Sequence, residues 1–266
     1  MKTFREKFFK FKRISSKDFG LVVVSIGTDT SPNFFGVERS VRTEDSGGIV
    51  PLFKGFDYKC PQITITMTKM DMQFKNLAPI TKVDEYNIMQ WLYGDEEFHP
   101  LQSDDNDEVI YYVACVKAEK YIDDKGDGYI TATFQMDSPC AYTPVRHHNY
   151  LVRNGNEKIF DIHCKTNVEK FHYPDVEFIL TGNNRNVKIT NLTLNETMEF
   201  KDLPPNSRIY CYNEGLKQIV CVNDKDFNAR PNFNKVWLRL VYGRNIIKVE
   251  GDCDIDIITQ YKLGLP

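Results

Sequence analysis

Asp45-Ser46-Gly47-Gly48 carries the residue types that surround a serine nucleophile. Such a serine is reactive only beside a base that takes its proton. Glu44 stands where that motif requires glycine, and the first histidine, His99, follows the serine instead of preceding it. The stretch therefore reads as a glycine-rich loop. Asp123-Asp124-Lys125-Gly126-Asp127-Gly128 opens like a calcium loop, but Lys125 puts a cation where a carboxylate is needed and Phe134 replaces the terminal glutamate. Hairpin-turn chemistry explains it better. His147, His148, His163 and His172 fall near Cys140 and Cys164 in the chain, yet no C-x-x-C or H-x-x-x-H spacing frames a zinc site.

Paired carboxylates serve glycoside hydrolysis, and Asp95-Glu96-Glu97 and Asp104-Asp105-Asn106-Asp107-Glu108 supply them in number. Acids this crowded on a polar stretch read instead as a solvated face, or as a surface that steers a basic partner. Asn191-Leu192-Thr193 and Asn195-Glu196-Thr197 match the glycosylation pattern, which matters only in a secreted chain. A phosphate-binding G-x-x-x-x-G-K, a G-x-G-x-x-G after a strand, a G-x-S-x-G elbow and a basic stripe with stacking aromatics are all missing. No catalytic, cofactor-binding or metal-ligating residue is assigned, and no cofactor is implied. Binding or assembly is favoured over catalysis.

The elements that would position any site are mostly strands. The 266 residues exceed the size at which one core stops growing, so two domains are expected. Hydrophobic residues at 41% and charged residues at 27% exclude a disordered or fibrous chain. Aromatics at 13%, with 18 Phe and 14 Tyr, favour strands. A net charge of −3 excludes general nucleic-acid binding, and no apolar run reaches the ~18 residues of a membrane span. The first 17 residues are strongly basic and contain no apolar run, so they read as a structured or interface arm and not as a secretory signal. Seven cysteines with no short paired spacing read as free thiols, mostly buried, in a reducing compartment.

Residues 21–26 form a β-branched run. Residues 63–70 alternate apolar and polar, as a sheet with one wet face requires. Residues 109–136 read as a long hairpin around the 123–128 turn. The one confident helix of the first half spans 81–94. Thr81 caps it, Gly94 ends it in a left-handed conformation, and Val83, Tyr86, Met89 or Gln90 and Trp91 share a face with Leu92 beside it. Residues 136–144 hold two prolines and no periodicity, and read as a linker. Short strands follow at 176–180, 187–190, 208–212, 218–222, 236–241, 246–250 and 255–261, with turns such as 213–215 between them, which together read as an antiparallel β-sandwich.

The layout resembles the distal tail protein family of phages infecting Gram-positive bacteria. Ser46-Gly47-Gly48, Phe56-Asp57-Tyr58 and the 63–70 strand resemble that family's opening sheet. Met89-Gln90-Trp91-Leu92 resembles the end of its helix. Tyr111-Tyr112-Val113, the run from Gly128 to Phe134, and Ser138-Pro139-Cys140-Ala141-Tyr142 resemble its hairpin and domain exit. Val187-Lys188-Ile189-Thr190-Asn191 and the 240–249 run resemble its galectin-like sandwich. The resemblance implies a mainly β protein with a ring-forming N-terminal domain over 1–144 and a galectin-like C-terminal sandwich over 145–266. It implies a homohexameric ring at the tail tip of the virion. The ring would stack on the major tail tube protein above and the tail-tip hub protein below, with receptor-binding or baseplate proteins as further partners. It implies no enzymatic activity, no nucleic-acid sequence recognition and no membrane insertion. The sugar-site runs of true galectins are missing, so no glycan site is carried over. Two other roles compete with it: a carbohydrate-binding module contacting the host surface, and a glycosidase using the acidic stretch. The edges of the long strands at 63–70 and 109–118 can supply the ring contacts.

Overall fold

The computed structural model describes residues 8–24, 38–71, 73, 76–104, 106–125, 127–213 and 217–265. Positions 1–7 of the basic arm, 25–26 of the first strand run, Asp105, Gly126 and the turn at 214–215 lie outside the described residues. The chain divides into two compact units, one made of residues up to Tyr142 with the last three residues, the other running from Thr143 to Leu263.

The first unit is an antiparallel sheet of eight strands. Its order is Ile14–Ser15, Phe9–Phe11, His99–Ser103, Tyr111–Ile122, Gly128–Met136, Gln62–Asp71 and Leu21–Val23, with Asn76–Leu77 also pairing Gln62–Asp71. The expected hairpin is present, with Tyr129 opposite Tyr121 and a register shift at Thr133/Phe134. Alternation is realised as burial: Ile63, Ile65 and Met67 face the core, as do Ile130, Ala132, Phe134 and Met136. On the opposite face Thr66 and Thr131 hydroxyls meet at 3.0 Å, a cross-strand polar pair. Both long strands lie inside the sheet, but Tyr111–Ile122 pairs His99–Ser103 only through Tyr111–Val113, and Gln62–Asp71 pairs Leu21–Val23 only through Met67–Lys69, so part of each keeps a side with no strand partner among the described residues.

The helix spans Lys82–Tyr93, and Thr81 caps it in a reciprocal capping box with Asp84. Two details differ from expectation. Gly94 has φ −64°, so the helix runs into a right-handed turn, not a left-handed cap. Its buried face is Ile88, Trp91 and Leu92, while Val83, Tyr86 and Met89 point outward, at 69%, 69% and 63% exposure. Both faces carry apolar residues, so periodicity alone could not choose between them.

The basic arm is structured where it is described. From residue 8 onward it enters the sheet. Phe9 and Phe11 pair with Ser103 and Leu101 and are fully buried, while Lys10 points outward. Phe9 stacks on Trp91 at 5.6 Å, and Phe11 meets Phe134 edge-on at 5.1 Å. Phe19 covers the other side of Trp91 at 4.7 Å. The stretch read as a linker carries a short strand, Cys140–Tyr142, whose Tyr142 bridges Ile110.

The second unit is a two-sheet antiparallel sandwich. One sheet has the order Arg146–Val152, Cys253–Thr259, Asp175–Leu180, Arg208–Tyr212 and Gln218–Cys221; the other is Glu157–Cys164, Gly243–Glu250, Val187–Asn191 and Glu196–Phe200. The inward positions of both, among them Phe178, Ile209, Ile257, Ile189, Phe200 and Val249, make one buried cluster. The strands at 146–152, 157–164 and 196–200 were not expected from the sequence. The expected strand at 236–241 is an extended segment with a lone bridge from Leu240 to His172. Among the described residues no helix is long and apolar enough to cross a membrane.

Candidate interaction surfaces

The residues with chemical potential are occupied structurally. Ser46 Oγ donates to the Val50 carbonyl at 3.1 Å, and Asp45 accepts the Gly47 amide at 2.9 Å. This is a self-closed turn. Asp123 Oδ1 accepts the amides of Lys125 and Asp127, both at 2.9 Å, which closes the hairpin turn. His147 Nδ1 lies 2.7 Å from Asp256, and His148 Nε2 lies 3.2 Å from the Thr259 hydroxyl. Burial in its surroundings lowers the His148 pKa. His163 is exposed, and His172 and Cys164 are buried. Among the described residues no three His, Cys, Asp or Glu side chains are grouped as metal ligands. Asn191 is buried, and its amide donates to the Arg239 carbonyl at 2.8 Å and to Asn245 at 3.1 Å, so it cannot serve as a glycan acceptor in the folded chain.

The acidic stretch and the basic arm turn out to be partners. Strand pairing sets Phe9–Phe11 beside His99–Ser103. Lys12 then reaches Asp95 at 2.9 Å and Lys10 reaches Asp104 at 3.5 Å. The Lys12 ammonium, the His99 ring at 2.7 Å and nearby backbone hold the Asp95 carboxyl below its ordinary range, Lys12 contributing most. Asp95 and Asp104 are thus paired within the fold.

Among the described residues, two groups of exposed apolar side chains stand out. The first is a two-stranded hairpin, Arg39–Glu44 with Leu52–Tyr58. All its residues are exposed except Gly55 and Phe56, which are half-buried. Val41, Ile49, Val50, Leu52, Phe53 and Tyr58 present apolar side chains to solvent, Ile49 completely. Arg39 lies over the Phe56 ring at 4.3 Å, and Phe53 meets Phe56 edge-on at 5.3 Å. Lys54–Glu44 and Lys59–Glu38 ion pairs, at 2.5 Å and 2.6 Å, fix its long sides. An isolated two-stranded ribbon is marginal in water, and clustered exposed apolar groups mark an interaction site. Sequence reading took part of this hairpin as a sheet strand and missed its projection, because outward and inward strands share one alternation.

The second surface is the outer face of the helix, where Val83, Tyr86, Met89 and Tyr93 line up at turn spacing. Its base is held firmly. Asp84 accepts from Lys69 Nζ at 2.6 Å and from the Thr81 amide at 2.8 Å. Burial opposes ionisation of Asp84, but these hydrogen bonds prevail and hold its pKa below the ordinary carboxylate value.

Comparison with known proteins places these surfaces in context. Residues 4–138 match the family model described as phage tail protein N-terminal domain, and residues 141–259 match that described as phage tail C-terminal domain. The SPbeta prophage-derived uncharacterized protein YomH of Bacillus subtilis strain 168 is 24% identical over 186 residues, covering 68% of this chain and 71% of its own. The SPP1 Dit protein (gp 19.1) shares the fold with a TM-score of 0.63 at 11% identity, over 95% of this chain and 98% of its own. A chain of the phage P2 baseplate aligns over 94% of this chain and 97% of its own at a TM-score of 0.45 and 12% identity.

Proposed function

The chain belongs to the phage tail protein family, and from that premise we propose that it is a structural virion protein forming a homohexameric ring at the distal end of the tail. The observation that carries this reading is the fold shared with SPP1 Dit across nearly the whole chain, since that protein is described as a paradigm of the hub adsorption apparatus in phages infecting Gram-positive hosts. In this role residues 1–144 close the ring, and residues 145–266 form a galectin-like sandwich outside it. The major tail tube protein stacks on one side and the tail-tip hub protein on the other, with baseplate or receptor-binding proteins beyond. The chain is made in the host cytoplasm and acts at the virion tail tip without catalysis, cofactor, nucleic-acid recognition or membrane insertion.

A ring needs a head-to-tail contact whose two sides differ and whose rotation closes. The exposed hairpin and the outer helix face are two different apolar surfaces on one unit, which supports their use as the two sides. Mass measurement of the purified chain by light scattering tests the reading. Six times the 31.0 kDa chain mass is expected. A monomer retained on host cell-wall glycans would favour a carbohydrate-binding protein instead.

A further inference from the structure

Asn154-Gly155 is the one Asn-Gly pair in the sequence. It lies in the connection between Arg146–Val152 and Glu157–Cys164, strands that belong to the two different sheets of the sandwich. Both residues are exposed. Their φ angles are +60° and +67°, and the Asn156 amide donates to the Arg153 carbonyl at 3.2 Å, which makes a type I′ turn. The Gly155 amide donates to Asp252 Oδ1 at 2.8 Å. Asp252 is itself fixed, since its carbonyl accepts the Thr181 amide at 3.0 Å and the Asn184 side-chain amide at 3.1 Å. Arg153 ties the other flank, donating to the carbonyls of Val152 and Cys253 and to the Asp254 carboxylate.

An Asn-Gly pair carries a definite chemistry. The glycine backbone nitrogen bonds to the asparagine Cγ, and the bond from Cγ to the side-chain nitrogen breaks. Ammonia leaves, taking up the proton lost by the glycine amide, and a five-membered imide remains. Water then opens the imide at either carbonyl, giving aspartate or isoaspartate. The balance is a side-chain amide plus water becoming a carboxylate plus ammonium, with no electron transfer. Glycine favours the attack because it has no Cβ to hinder the approach.

The native turn opposes ring closure. The first central residue of a type I′ turn has ψ of about +30°. That angle sets the Gly155 nitrogen and the Asn154 side chain on nearly opposite sides of the Cα–C bond, whereas the imide needs them on the same side. Closure therefore requires the turn to open, and opening breaks both the Asn156–Arg153 and the Gly155–Asp252 bonds.

We propose that Asn154 is a deamidation site that Asp252 holds shut in the folded chain. The rate of modification follows the population of the opened turn. Aspartate would add a negative charge one residue from the amide that Asp252 accepts, and isoaspartate would lengthen the main chain by one methylene inside the connection between the sheets. The site lies within one unit and does not depend on the ring reading.

Incubation of the full chain at mildly alkaline pH, followed by peptide mapping in the mass spectrometer, tests this. In urea the parent should convert at Asn154 ahead of every other asparagine. In native buffer the same conversion should be slower by at least about a hundredfold, since the turn must first open locally. Asp252→Ala should speed the native rate by about tenfold, the scale of a hydrogen bond to a charged acceptor. Asp252→Asn, with the same shape and a neutral acceptor, should fall between, and thermal melts of both variants separate release of the turn from loss of the fold. Another asparagine converting first in urea would overturn the site. A native rate equal to that in urea, or equal native rates in the parent and both folded variants, would overturn the guarding role of Asp252.

Discussion

The indole Nε1 of Trp91 donates to the backbone carbonyl of Phe11 at 3.0 Å, joining the helix to a strand 80 residues earlier in the chain. Around this bond Phe9, Phe11, Phe19 and Phe134 enclose the indole or each other. Lys12, one residue on, closes the same corner with Asp95 just beyond the helix. Phe9 and Phe11 are thus part of the first unit's core.

Trp91→Phe deletes the donor and leaves a cavity where the larger indole was, so it should cost at least about 2 kcal/mol, the hydrogen bond and the lost packing together. Phe9→Ala empties a fully buried site and should cost about 3–5 kcal/mol. Urea unfolding followed by circular dichroism checks both. A Phe9→Ala protein as stable as the parent would show that the arm is not in the core.

Acid should loosen the helix base through Asp84. Its folded pKa lies below the ordinary 3.8, so its contribution is complete above that value and is lost as pH falls through the folded value. Asp84→Asn should therefore lower stability near pH 6 by about 1 kcal/mol, the scale of a cap, with the difference closing as pH falls through the folded value. Thermal melts across that range read it. A difference that persists or grows at the acid end would assign the loss to another group.

Much of this was legible in advance. Alternation in Gln62–Asp71 and Gly128–Met136 fixed which side chains are buried, because a period of two admits only one inner face. Thr81 and Asp84 announced the helix start by local hydrogen bonding alone. Phe9-Lys10-Phe11 was obscured by the net basic charge around it, since its neutralising acids lie about ninety residues downstream at Asp95 and Asp104.

Thiol chemistry should follow burial. Cys60 is exposed, Cys115 is half-buried, and Cys140, Cys164, Cys211, Cys221 and Cys253 are buried. Desolvation pushes the Cys115, Cys164 and Cys211 thiols up, and that of Cys253 to about 12. A thiol reagent at neutral pH should label Cys60 first and Cys115 slowly, and the other five only after denaturation. Cys60→Ser should abolish the fast phase; a fast phase that survives it refutes this ordering.

Gly128 should not tolerate a side chain. Its φ is +153°, and a Cβ there would lie 1.9 Å from the Tyr121 carbonyl oxygen. The backbone of the central hairpin has to move to make room. Gly128→Ala should destabilise by at least about 2 kcal/mol, beyond the ordinary cost of a surface change. The neighbouring Tyr129→Ala is the control, since it removes stacking on Tyr121 without a backbone clash. If the glycine variant unfolds at the same urea concentration as the parent, the close approach is not real.

Assembly should reside in the first unit and depend on its uncovered apolar faces. A fragment of residues 1–144 is expected to form the ring alone, while residues 145–266, with both sandwich faces already buried against each other, should be a folded monomer. In the full chain, Phe53→Glu places a charge on the exposed hairpin, and Tyr86→Glu does so on the outer helix face. Neither position contributes to a core, so each variant should fold with an unchanged melting temperature. Each should nonetheless shift light-scattering mass toward the monomer, since burying an unpaired charge in an interface costs several kcal/mol per contact and a ring multiplies that cost over every contact. Each single variant, mixed with parent chain, should join an arc through its intact surface and cap it at the other end. If the 1–144 fragment stayed monomeric while 145–266 assembled, or if both glutamate variants kept the full mass, neither the ring assignment nor its contacts would stand.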